Sequence, residues 1–148
     1  MLKVYLDNCC YGRPFDDLSQ DKIKDEATAK TYIQSLIKYK SLKLYYSYMT
    51  LSELEDSPYE DTKILILDFI ESNANVFIGD NNTDKLITMT NDIMNTGIKM
   101  KDATHLACAI FAQCDYFITT DNRVTKYKTD RINIVNPIEF IEIWRKTI

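Results

Sequence analysis

Residues 101–126, KDATHLACAIFAQCDYFITTDNRVTK, decide how this chain folds. Asp102 stands at the head of a run in which Ala103, Leu106, Ala107 and Ile110 recur at the helical period, which predicts a helix over 101–113. Residues 116–119 (YFIT) then read as a short apolar strand, with Asp121 close behind it. Two acids, one at the start of the helix and one just past the strand, are thus coupled through a single helix–strand unit.

The same alternation continues outward in both directions. Lys3–Leu6 (KVYL) is a buried strand that stops at Asp7, and Gly12 and Pro14 mark the loop CCYGRPFDD behind it. Ile23, Ala27, Tyr32, Ile33, Leu36 and Ile37 space a helix over 21–40, and 42–47 (LKLYYS) is a second strand. Helical patterns follow over 50–56 and 60–72, with Pro58 between them. Residues 75–78 (NVFI) form a third strand closed by Gly79. A helix over 82–95 is stopped by Gly97, 132–135 is a fifth strand, and Pro137 opens a last helix. Strands alternating with helices predict an α/β fold with a mostly parallel sheet of about five strands. No repeat, low-complexity stretch or linker interrupts the chain, so one domain over 1–148 is expected.

Composition narrows the function. A formal net charge of −4 argues against a protein that coats nucleic acid by bulk charge, yet leaves room for a basic rim around an acidic pocket. The start, MLKVYLDN, has no signal-peptide pattern, and no stretch approaches the ~18 apolar residues of a membrane span. A cytoplasmic protein without a membrane partner is expected. Cys9, Cys10, Cys108 and Cys114 contain no C-x-x-C pair, so free thiols are expected and not a structural zinc site. His105 is the single histidine, which leaves cysteine–histidine hydrolysis without support; it reads as a core or surface residue.

Acidic residues carry the chemistry. In an open parallel sheet, ligands bind at the carboxyl ends of the strands, where the strand order switches. Asp7 follows the first strand and Asp121 the fourth. Glu53 lies on the helix after the second strand, and Asp102 opens the helix that leads into the fourth. Each also has an ordinary reading: Asp7 as a turn former, Asp102 as an N-cap, Asp121 as the cap of a turn through residues 122–127, Glu53 as a solvated helix residue with Glu55 as its equal. Gathered together they repel, and burying an unpaired carboxylate costs several kcal/mol. A hard divalent cation with oxygen ligands removes that conflict and suits phosphodiester cleavage.

Three segments resemble the motifs of the PIN-domain family: YLDNCCYGRPFDD (5–17), SYMTLSELEDSPYE (47–60) and the 101–126 segment, in the family's order across nearly the whole chain. The resemblance implies a three-layer α/β/α sandwich and a Mg²⁺- or Mn²⁺-dependent endoribonuclease. Small members are often VapC-type toxins, neutralised by a cognate antitoxin and often homodimeric. It makes Asp7, Glu53, Asp102 and Asp121 the catalytic cluster. Asp7, Asp102 and Asp121 would hold the metal, and Glu53 would orient or deprotonate the attacking water. Arg13 and Arg123 would contact RNA phosphates, Lys126 and Lys128 read as solvated loop charges, and Asn8 and Thr120 would hydrogen-bond a carboxylate or a metal water. Two departures, Asn8 in place of Thr or Ser and Asn122 in place of an acid, weaken the case for a second metal. The principal rival is a catalytically inactive PIN-like module that binds nucleic acid or a protein. A haloacid-dehalogenase-like phosphatase needs an acid two residues after Asp7, where Cys9 stands, and a receiver domain is disfavoured by the early position of Asp7 and the want of a suitable acidic pair in the first loop.

Overall fold

The computed structural model describes residues 1–12 and 21–147. Five strands, β1 (Lys3–Leu6), β2 (Lys43–Ser47), β3 (Val76–Ile78), β4 (Tyr116–Ile118) and β5 (Asn133–Val135), form one sheet in the order β3-β2-β1-β4-β5. Every pairing is parallel. Among the described residues the α-helices are α1 (Asp21–Lys38), α2 (Tyr48–Glu55), α3 (Glu60–Asn73), α4 (Thr83–Met94), α5 (Met100–Phe111), α6 (Asn122–Thr125) and α7 (Pro137–Thr147). The α/β class and the parallel sheet are as the alternation predicts.

Strand periodicity builds the layers. Successive side chains of a strand point to opposite faces. Val4 and Leu6 enter one core with Leu44, Ile118 and Val135, where α1 (Ile33, Ile37), α3 (Ile66, Ile70) and α7 (Phe140, Ile141) cover the sheet. Tyr5, Tyr45 and Phe117 enter the other, covered by α4 (Leu86, Ile93) and α5 (Leu106, Ala107). The two cores flank the sheet, which makes an α/β/α sandwich. Because both faces are buried, β1 reads as a continuous apolar run instead of an alternating one.

Helix ends differ slightly from the periodic pattern. Helix α1 stops at Lys38, because Lys40 turns left-handed at φ 62° and Ser41 N–H reaches back to Leu36 O at 2.8 Å. Gly97 ends the α4 region as the sequence predicts, at φ +104° with its N–H on Met94 O at 2.9 Å.

The topology places the site. β1 lies at the centre, with β2 on one side and β4 on the other. The chain leaves β1 toward β2 and returns to pair β4 on the opposite edge, so the strand order switches between β1 and β4.

Candidate active site

Asp7 stands at the carboxyl end of β1, its own N–H bonded to Ile118 O on β4 at 2.9 Å. It is buried to 6 % exposure, a position that requires its oxygens to have partners. Oδ1 accepts from Asn8 N–H and Oδ2 from the Thr119 hydroxyl, both at 2.8 Å. The same Thr119 oxygen accepts from Asp121 N–H at 3.1 Å. One buried hydroxyl therefore ties the ends of both central strands together.

That role falls one residue away from the expected one. The Thr120 hydroxyl points instead to Cys9 Sγ, 3.2 Å away, and touches no carboxylate. Adjacent residues of an extended chain face opposite sides, and residue 119 shares the side of Asp7. Asn8 donates its amide to Thr50 O at 3.0 Å, so it also bonds no carboxylate through its side chain. Its Oδ1 is buried with no donor among the described residues.

Helix α2 brings the glutamate. Ser47 ends β2 and caps α2, accepting from Met49 N–H, while Thr50 accepts from Ser47 N–H. Glu53 follows on the inward side of this helix and Glu55 is exposed at its end. Glu53 Oε1 lies 2.9 Å from His105 Nε2, which is itself 4.0 Å from Asp7 Oδ1. Asp7, Glu53 and His105 present ligand-type atoms all within 4.8 Å of one another. His105 is fully buried, and its Nδ1 lies 2.6 Å from the Tyr5 hydroxyl. Tyr5 in turn meets Ser47 Oγ at 2.6 Å and Thr50 Oγ1 at 3.3 Å. Burial pushes the Tyr5 phenol well above its ordinary value, so it remains protonated.

Sequence reasoning weighed His105 as facing either pocket or core and favoured a core or surface role. The available signal was its spacing: it lies three residues after Asp102, one helical turn along the same face. Helix α5 turns that face toward both the core and the acids, so a core residue is also part of the site.

Asp102 occupies the first turn of α5, but Lys99 is the N-cap, so capping does not account for the acid. Burial raises the Asp102 carboxyl above its usual range, and the charges of Asp7 and Asp121 raise it further; His105 offsets part of this, and Glu53 adds to it. Asp121 caps α6 through Arg123 N–H at 2.9 Å and pairs with the Arg123 guanidinium, Nη2 to Oδ2 3.1 Å and Nε to Oδ1 3.3 Å. The hydrogen bond from Arg123 holds this carboxyl below the ordinary range. The ordinary capping role and the acid cluster therefore coexist at Asp121.

Around the acids, Lys99, Arg123, Lys126 and Tyr127 line a cleft that opens beside Asp102. Lys126 thus faces a cavity next to the site, whereas Lys128 is simply exposed. Arg13 lies outside the described residues. The four cysteines are free; Cys9 is exposed, and Cys10, Cys108 and Cys114 are buried. Among the described residues, no helix is long and apolar enough to cross a membrane.

The donor set fits a hard divalent cation. Among the described residues the ligand-type atoms that converge are those of Asp7, Glu53 and His105, two carboxylates and an imidazole, and Asn8 Oδ1, next in the chain to Asp7, is buried without a donor.

A five-stranded parallel sheet of this order between two helical layers is a PIN-type fold. Solved structures bear this out. VapBC2 from Rickettsia felis, crystallised with a DNA fragment from its promoter, is similar with a TM-score of 0.57 at 15 % identity, over 91 % of this chain and 98 % of that one. VapBC-5 from Mycobacterium tuberculosis, of a toxin–antitoxin family, is similar with a TM-score of 0.51 at 14 % identity, over 92 % and 99 %. No family model and no curated protein matches the chain.

Proposed function

We propose that this chain is a metal-dependent endoribonuclease that hydrolyses RNA phosphodiester bonds, and that it is the toxin of a toxin–antitoxin pair. The observation that carries the nuclease reading is the convergence of Asp7, Glu53 and His105, whose ligand-type atoms lie within 4.8 Å of one another, with Asp102 near enough for Asp7 and Asp121 to oppose its charge. A carboxyl crowded by other acids, as Asp102 is, is costly to keep ionised, and a dication removes the cost.

Asp7, Asp102 and Asp121 would hold Mg²⁺ or Mn²⁺. When bound, the cation neutralises charge on the phosphate oxygens and makes water more acidic. The remaining work belongs to the chain. Thr119 holds Asp7 Oδ2 in place. Glu53 accepts a proton from the attacking water. Arg123, Lys99 and Lys126 would meet the substrate phosphates, and the Tyr127 ring offers a face to an unpaired base. The side chain of Arg123 is 69 % exposed, so solvent already weakens its pairing with Asp121.

The choice of RNA rests on the PIN-type motifs, and the antitoxin partner on the likeness to two VapBC structures. A cytoplasmic homodimer is the form this reading expects. The test is cleavage of structured RNA by purified protein with Mg²⁺ or Mn²⁺, abolished by EDTA and lost in Asp7→Asn. Failure to cut any RNA or single-stranded DNA with either ion would instead indicate an inactive module that binds nucleic acid or a protein. Growth arrest on expression of the wild type, absent for Asp7→Asn, tests the toxin reading separately.

A further inference from the structure

The buried imidazole of His105 touches two of the acids, and two opposite roles are open to it. It can lend Nε2 to a cation as a nitrogen ligand, or it can donate Nε2–H to an acid and hold it in place. Its hydrogen-bond partners decide between them.

At the start of α2, the Ser47 oxygen is committed as acceptor to Met49 N–H, and the Thr50 oxygen to Ser47 N–H. Each hydroxyl keeps one hydrogen, and the Tyr5 oxygen lies 2.6 Å from Ser47 Oγ and 3.3 Å from Thr50 Oγ1. Each of these hydroxyls can donate or accept, so the carboxylate decides: it only accepts, and Glu53 Oε1 lies 2.9 Å from His105 Nε2. Nε2 therefore carries the hydrogen, and in the neutral ring Nδ1 accepts from the Tyr5 phenol, 2.6 Å away. The other neutral tautomer would set a nitrogen lone pair against a carboxylate oxygen at the same distance, in a fully buried position.

We propose that Tyr5 fixes His105 as an Nε2–H donor to Glu53, so that His105 is a positioning residue and leaves the cation an all-oxygen set of ligands. This rests on the nuclease reading for its consequence, though not for its geometry. Glu53 projects from α2 and is partly exposed, so without a partner it would sample several rotamers. One buried donor fixes one of its oxygens and leaves the other for water or cation. An oxygen-only site favours Mg²⁺ or Mn²⁺ over zinc, which takes imidazole readily.

His105 is the single histidine, so two-bond ¹H–¹⁵N correlation spectra of the uniformly labelled full-length protein report this ring alone. Metal-free protein at neutral pH is expected to show a protonated Nε2 and an unprotonated Nδ1. Saturation with Mg²⁺ should leave that pattern in place. A protonated Nδ1, with or without hydrogen on Nε2, would overturn the proposal, as would a Mg²⁺-induced loss of the Nε2 hydrogen. Tyr5→Phe, which keeps the ring and removes the hydroxyl, should collapse the single-tautomer pattern; an unchanged spectrum would remove Tyr5 from the account.

A second arm uses cleavage. His105→Gln can still present an N–H near the Nε2 position, and His105→Asn cannot reach it. The asparagine variant should lose about 10–100-fold in kcat with KM little changed, and the glutamine variant should recover most of the loss. Equal loss in both, in folded protein, would count against a donor role. If the wild type cleaves nothing, the nuclease reading fails while the spectra still decide the state of the ring.

Discussion

At the scale of single residues, Asp102 has an unusual position. It begins a helix without capping it, and its neighbours oppose its charge. Its folded-state value is raised above the ordinary 3.8, so the native protein holds this proton more tightly than the unfolded chain does. The resulting stability is fully present below pH 3.8 and is lost as pH rises through the raised value. At neutral pH the metal-free protein therefore carries an electrostatic penalty that Asp102→Asn removes. The variant should melt higher than the wild type at pH 7 without metal, and the advantage should shrink toward pH 3. Mg²⁺ should raise the melting temperature of the wild type and have little effect on the variant. Asp121 has the opposite sign: its lowered value contributes stability above the ordinary range that is lost on acidification, modestly because Arg123 is exposed. Cleavage by Asp7→Asn should fall beyond the ~100-fold that removing an outer partner costs, because Asp7 sits at the centre of the cluster.

At the scale of elements, short caps aim the side chains of the candidate site. Ser47 ends β2, starts α2 and hydrogen-bonds Tyr5, so one hydroxyl joins secondary structure to the site. Ser47→Ala should cost ~1 kcal/mol through removal of the cap. It should also cost activity, because Tyr5 is deprived of a hydrogen-bond partner; chemical denaturation and cleavage assays would measure the two effects. Ser47→Thr, which retains the hydroxyl, should recover most of both. Gly97 marks the other kind of junction. A Cβ there meets nothing within 4 Å, so crowding is no obstacle, yet φ +104° disfavours any side chain. Gly97→Ala should lower stability by ~1–2 kcal/mol, read from the denaturation midpoint, through backbone strain alone.

Across the whole molecule, charge is distributed unevenly. The chain carries −4 overall, but Lys99, Arg123 and Lys126 gather at one cleft beside the acids. Nucleic acid would gain little from the molecule's net field and would depend on this local rim. Binding of a short single-stranded RNA in Ca²⁺, measured against salt, tests this. The joint Lys99→Ala, Lys126→Ala variant should weaken binding and reduce the slope of log K against log salt by ~0.7 for each phosphate that is no longer neutralised. An unchanged slope would place the substrate on another face.

The sequence alone determined the alternation of strands and helices, and with it the α/β class, because apolar periodicity is a local property that survives without coordinates. It also placed Asp7 and Asp121 just past strand ends, since a charged residue closing an apolar run is visible in one dimension. Tertiary structure decided which neighbours those acids keep. Thr119 and not Thr120 holds Asp7, because strand direction determines which side a residue faces. Glu53 and not Glu55 meets His105, because only the former lies on the inward side of α2. His105 gave only the signal of its spacing after Asp102, which does not decide between core and site, since a histidine on an apolar helix face looks the same whether it meets carbon or a carboxylate. That difference arises from residues 52 and 100 positions away in the chain, Glu53 and Tyr5, and only folding brings them together.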